Sequence, residues 1–197
     1  MTSTFKISLI LLLGIISLVV FISNFEVYIH PLFNFFLYSI PSNAAISLFP
    51  HEPVLVLLGK SFDPLLLALV GILGTIVAGI LDYFIFVPLF SSSVVDKLKN
   101  TTGYIRATRW FDQQPFWTIV IAGFTPIPFF PFKFVAFSTK YPIGKYLLSL
   151  VIGRYPRYYL LALLGYSFNI PETLIIVVFI IMLMFFMIQL LPQLIKR

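Results

Sequence analysis

Apolar residues in this chain fall into long runs of two kinds. Phe5–Ile22, Pro64–Phe90, Gly144–Tyr166 and Thr173–Leu191 are continuous, each close to the roughly 20 residues that a membrane-crossing helix requires. Between them, 31–63 and 116–143 are equally greasy but repeatedly interrupted. Pro31, Pro41, Pro50 and Pro53 cut the first; Pro126, Pro128 and Pro131 cut the second, among Phe124, Phe129, Phe130 and Phe132. Proline lacks the N–H that a helix interior uses, and its ring clashes with the preceding turn. Neither half of either stretch can therefore span a bilayer. Non-helical backbone at membrane depth is tolerated only where protein or a cavity surrounds it. Each stretch accordingly reads as a re-entrant hairpin: short helix, broken tip, short helix. The alternative for the first is an outer-surface loop dipping its aromatics into the headgroups.

The predicted architecture is all-α: four transmembrane helices and two hairpins in one membrane domain. Hairpin 1 covers 31–63, a transmembrane helix 64–90, a linker 91–115, hairpin 2 116–143, an arginine-bearing helix 144–168 and a last helix 171–192. Phe5–Ile22 reads as an uncleaved helix rather than a signal peptide, because no small-x-small cleavage pattern follows. Asp63 and Pro64 are an N-cap and first-turn proline. Gly71, Thr75 and Gly79 recur every four residues, a stripe on which two helices can pack closely, within the chain or between copies. The linker is the one polar stretch. It predicts two short amphipathic helices broken near Gly103, with Ile105, Trp110 and Phe111 on the apolar side.

Composition sharpens this picture. The chain is 60% hydrophobic and 10% charged, with a mean hydropathy of +1.04; this is the profile of an integral membrane protein. A net charge of +6 does not point to nucleic acid, since the basic residues sit between apolar runs. They act instead as topology signals. With the N-terminus inside, Lys6, Lys97, Lys99, Arg106, Arg109, Lys140, Lys145, Lys196 and Arg197 are cytoplasmic, and Lys60 alone is outside with Glu26, Asp63 and Glu172. Both termini are then cytoplasmic, and the hairpins enter from opposite faces. Such opposed hairpin-plus-helix units are the pattern of an inverted repeat, as in secondary transporters.

Buried charge supplies the candidate chemistry. Arg154 and Arg157 flank Pro156 inside an apolar run, and intramembrane ionisable residues are costly enough to read as functional. Asp82 and Arg154 each lie about 12 Å from the inner end of their helices at ~1.5 Å per residue. Asp82 is therefore expected to pair with Arg154 or Arg157. Cysteine is absent, and neither a metal-ligand pattern nor a Ser–His pair appears, so no cofactor, metal or hydrolytic enzyme is expected. His51, beside Pro50, reads as a water-facing interfacial residue.

The order of these features resembles the DedA superfamily, whose domain is also called the VTT or SNARE-associated-Golgi-protein domain. Its YqaA-like branch is the nearest likeness. The resemblance lies in Phe-Pro-x-Glu at Phe49–Glu52, Gly79-x-x-Asp82-Tyr83, the proline-rich hairpin, Gly-Arg-x-Pro-Arg-Tyr-Tyr at Gly153–Tyr159 and Leu-Gly-Tyr at Leu164–Tyr166. It implies an inverted repeat that moves lipids, with phospholipid or polyprenyl phosphate as partner. Glu52 and Asp63 would match the acids linked to proton-dependent activity, with Asp82 a further candidate. Many members carry Arg-x-x-Pro-x-x-Arg in the second hairpin. With Pro128 as that proline, Thr125 and Pro131 stand in for the arginines, and Lys133 is the nearest cation. Phosphate binding then falls to Arg154 and Arg157, with Lys133 in support. The inner membrane of a prokaryote is the expected location. A membrane-organising protein without a transport cycle is the alternative function.

Overall fold

Proline sets where the helices of this protein start and stop. The computed structural model describes residues 31–45, 49–89 and 102–195. Among them are eight helices and no strand: α1 (Pro31–Ser42), α2 (Glu52–Gly59), α3 (Pro64–Leu89), α4 (Thr102–Gln113), α5 (Pro115–Phe124), α6 (Phe130–Ser138), α7 (Ile143–Ser167) and α8 (Glu172–Ile195). Pro53, Pro115 and Pro131 occupy first-turn positions, where the missing N–H would be unpaired anyway. Pro50, Pro126 and Pro128 sit in the non-helical tips between α1 and α2 and between α5 and α6. Pro41 does not break its segment; α1 runs one residue past it. The first apolar run, with Lys97, Lys99, Lys196 and Arg197, lies outside the described residues.

The 26-residue α3 has a mean hydropathy of 2.5 and is the one described helix long and apolar enough to cross a membrane. Of the three spans the sequence pattern expects here, length and apolarity mark one, with α8 weighed only over Glu172–Met184. In α7 the reason is Lys145, Arg154 and Arg157, which lower the apolarity of its 25 residues. Each hairpin arm has 8 to 12 residues, or roughly 12–18 Å at 1.5 Å per residue, about half of a hydrocarbon core.

Helix α7 runs through the middle of the assembly. It packs against α3, α5 and α2, while α1 packs against α3. The first arm of each hairpin therefore lies on the long helix that follows it, and the second arm of the first hairpin crosses to the long helix of the other unit. Two apolar clusters result. One gathers Phe35, Leu55, Leu67 and Tyr158 around α1–α2; the other gathers Ile119, Phe132, Phe137 and Tyr146 around α5–α6. The outward faces stay apolar, with Leu69, Leu73, Phe84, Trp117, Leu148 and Leu160 exposed. An exposed apolar surface on that scale belongs against lipid tails.

The Gly71–Thr75–Gly79 stripe is used inside the chain. Gly71 faces Phe35 and Tyr158, and Gly79 faces Leu147 and Leu150. Helix α4 begins at Thr102, so Gly103 falls in its first turn; the preceding half of the linker lies outside the described residues. Of the apolar side of α4, Phe111 is buried against the second hairpin, whereas Ile105 and Trp110 stay about half exposed.

Two glycines of α7 are imposed by backbone contact. A Cβ on Gly153 would strike the Val120 carbonyl of α5, and one on Gly165 the Val56 carbonyl of α2. Gly144, in the first turn of the same helix, faces nothing within 4 Å. Gly165→Ala is therefore expected to destabilise by about 1–3 kcal/mol through overpacking, read as a lower Tm in detergent. Gly144→Ala should be neutral or stabilising, by up to about 1 kcal/mol of helix propensity. Equal effects of the two would show that the α2–α7 contact is not this close.

Candidate functional site

The two tips converge on a buried polar cluster, and one residue absent from the sequence expectation lies at its centre. Asn43 follows the end of α1. Its side-chain oxygen accepts from the Arg154 guanidinium and from Tyr158 Oη, the latter at 2.7 Å. Its Nδ2 donates to the Ser39 carbonyl at 2.9 Å and approaches His51 Nδ1 at 3.4 Å. Its backbone carbonyl accepts from Lys133 Nζ. A buried amide satisfied on both sides fixes the first tip against α7 and α6.

Lys133 and Asp82 form the deepest pair. Nζ lies 2.7 Å from Asp82 Oδ2, with the side chains 4% and 6% exposed. The other carboxylate oxygen accepts from the Ala45 N–H at 2.9 Å. The expected partnership of Asp82 with Arg154 or Arg157 is thus not the one formed. Counting along two helices did not select the partner: α6 inserts its lysine between α3 and the first tip.

Arg157 joins the tips directly. It donates to the Thr125 carbonyl of the second tip at 2.9 Å and to Glu52 Oε1, at the start of α2, at 2.8 Å. Those side chains are 22% and 32% exposed for Arg157 and Glu52, so the cluster grades from an accessible pair to a sealed one. Arg154 lies over the Phe129 ring, 4.5 Å from its centroid, a favourable cation–π position. Among the described residues it meets no carboxylate. Among the described residues, three cations, Lys133, Arg154 and Arg157, face two carboxylates, Glu52 and Asp82. The cluster therefore carries one surplus positive charge, an arrangement ready for an anion.

Asp63 stands apart: its Oδ1 caps α3 on the Leu66 N–H at 2.9 Å. His51 is the clearest correction. It is buried, 4% exposed, with its ring 5.3 Å from Phe35 and 4.7 Å from Tyr158 between centroids. The short tip folds it inward, and its Nδ1 lies 2.9 Å from Ser42 Oγ. His51 Nε2 and Tyr146 Oη are buried without a hydrogen-bond partner among the described residues. Thr75, whose hydroxyl is 3.0 Å from Tyr158 Oη, ties the stripe of α3 to the same cluster.

The buried pair sets a stability test. Lys133→Met leaves the Asp82 carboxylate stranded, at an expected cost of about 3–5 kcal/mol. Asp82→Leu combined with Lys133→Met should recover most of that loss, because a buried pair replaced by apolar groups is close to neutral. Denaturation of the two variants checks this, and a double variant as unstable as the single one would remove the ion pair from the account.

The profile of the VTT domain matches residues 49–167, a stretch that holds Glu52, Asp82, Lys133, Arg154 and Arg157 and leaves α1 and Asn43 outside. No curated protein and no solved structure matches the chain. The match covers more than half of the sequence. The chain belongs to the VTT-domain family, the DedA/SNARE-associated-Golgi-protein family of membrane proteins.

Proposed function

We propose that this protein moves a lipid carrying a phosphate, a phospholipid or a polyprenyl phosphate, from one leaflet to the other without catalysing a covalent reaction. The observation that carries this reading is the meeting of two proline-broken tips at a cluster with one surplus positive charge. A headgroup needs a polar path, while its tails can stay in lipid. Half-length hairpin arms entering from opposite leaflets supply such a path without leaving backbone groups exposed to hydrocarbon. Arg154 and Arg157 are the phosphate contacts; guanidinium forks suit phosphate oxygens geometrically as well as electrostatically. Lys133 supports them from behind, since Asp82 and Asn43 already occupy it.

Glu52 is the proton-responsive member in this scheme. Protonation would release Arg157 from the one carboxylate it holds, freeing it for a headgroup. Asp82 is the internal counter-charge and Asp63 a helix cap. The inner membrane of a prokaryote, with both termini cytoplasmic and the tips entering from opposite sides, is the setting that fits the distribution of basic residues. The alternative role as a membrane organiser drew on the Gly71–Thr75–Gly79 stripe, and that stripe is filled by the chain's own helices.

Reconstitution into liposomes with fluorescent phospholipid or a labelled polyprenyl phosphate tests the proposal. Flipping above protein-free vesicles is expected, faster when Glu52 is protonated or replaced by Gln, and slowed at least tenfold by Arg157→Gln. The tenfold figure corresponds to roughly 1.4 kcal/mol, the lower range for one hydrogen bond to a charged group. No flipping of either lipid at any pH would refute the transport reading.

A further inference from the structure

The contacts of Asn43 and Ser42 favour one tautomer of His51. Arginine can only donate, so the amide atom that meets Arg154 is the oxygen. The opposite atom, facing His51, is then the NH2 group, which also only donates. Ser42 Oγ, 2.9 Å from the same Nδ1, can donate or accept. An accepting Nδ1 lets both contacts be hydrogen bonds, whereas an Nδ1–H would forfeit the one from Asn43, so the favoured neutral ring carries its proton on Nε2. That N–H is the atom left without a partner among the described residues, in a residue 4% exposed. A buried donor with no acceptor is costly, and native interiors rarely keep one without a reason.

Two features of the surroundings say what is missing. The adjoining cluster holds a surplus positive charge, and Arg154 has an amide, a phenol and an aromatic face where a carboxylate would usually be. An orphan N–H donor on a ring that shares Asn43 with an under-compensated guanidinium calls for an anionic acceptor. Glu52, the next residue along, lies at the accessible end of the cluster with Arg157. Parting that pair is the route by which an anion could arrive.

We infer that the Nε2–H of His51 is a third donor to the phosphate group, after Arg154 and Arg157, so that the imidazole serves as a ligand-binding group rather than as packing alone. This rests on the lipid-phosphate reading given above and assigns His51 a role in it. The ring stays neutral throughout and adds direction without adding charge. It would thereby favour a tetrahedral oxyanion over a lipid whose headgroup is uncharged.

The protein has two histidines, so ring-15N histidine labelling of full-length His30→Gln protein in nanodiscs isolates His51. The expected spectrum is that of a neutral imidazole protonated on Nε2, and dodecyl phosphate should move the Nε2 resonance while the uncharged dodecyl maltoside does not. Inorganic phosphate is the parallel arm: an equal shift assigns the site to free phosphate, and no shift assigns it to the lipid-borne group, both in accord with the donor role. Substitution supplies the second readout. Glutamine can place an N–H near the position of Nε2, whereas asparagine can replace only the contacts at Nδ1. His51→Gln should bind dodecyl phosphate within about threefold of wild type, and His51→Asn roughly tenfold more weakly, the effect of one hydrogen bond to a charged group. A proton found on Nδ1, or an unmoved Nε2 resonance in protein that binds the probe, overturns the inference. So does asparagine equalling or surpassing glutamine. Wild-type protein that binds no phosphate probe would instead remove the lipid-phosphate reading itself.

Discussion

Everything in the centre of this protein depends on keeping buried charges compensated where water is excluded. Lys133 and Asp82 achieve this by dividing their remaining hydrogen-bond capacity over the first tip: the ammonium takes the Asn43 carbonyl and the carboxylate takes the Ala45 N–H. The non-helical backbone after α1 would otherwise present unpaired polar groups to an apolar interior, at several kcal/mol each by the water-to-hydrocarbon scale. The ion pair and the broken backbone therefore need each other. Neither would persist if the other were replaced by a straight apolar helix.

Close helix packing is the second constraint, and it follows from the first. A polar tip is sealed only if the surrounding helices come near enough to exclude lipid. Helix α7 does so by meeting α5 at Gly153 and α2 at Gly165, one glycine on each side of its arginines. The same helix thus brings its cations to the tips and supplies the surfaces that hold the hairpins in place. Pro156 lies between Arg154 and Arg157 without ending the helix. It removes the N–H that would have bonded to the Ile152 carbonyl.

Much of this was legible from the residues alone, for identifiable reasons. Proline's missing donor located both tips, because that rule is local and holds in any solvent. The N-cap of Asp63 and the small-residue stripe on α3 were equally visible as local patterns. Partner choice was not. Depth along a helix is readable by counting, but the azimuth around the axis and the insertion of a third element are tertiary facts, and so Lys133 rather than an arginine met Asp82. His51 was misplaced for a related reason. Neighbouring prolines signal a break in the helix but not which way the broken segment faces. Asn43 left no signal, since one asparagine at a helix end usually caps or turns, and its importance lies in contacts up to 115 residues away in sequence.

The two tips are not equivalent, and the difference bears on how a headgroup would be handled. The first tip offers side chains, Asn43, His51 and Glu52, while the second offers the Thr125 carbonyl and the Phe129 ring. Where many relatives are expected to place arginines on the second tip, this chain has Thr125 and Pro131, and the cations come from α7 and from Lys133 further along α6. A cation on a 25-residue helix locked by glycine contacts has less freedom than one on a loop. Under the proposed transport reading, movement falls to the tips rather than to the arginines. Under that reading the Glu52–Arg157 contact is where such movement would begin, since it is the more exposed of the cluster's two ion pairs.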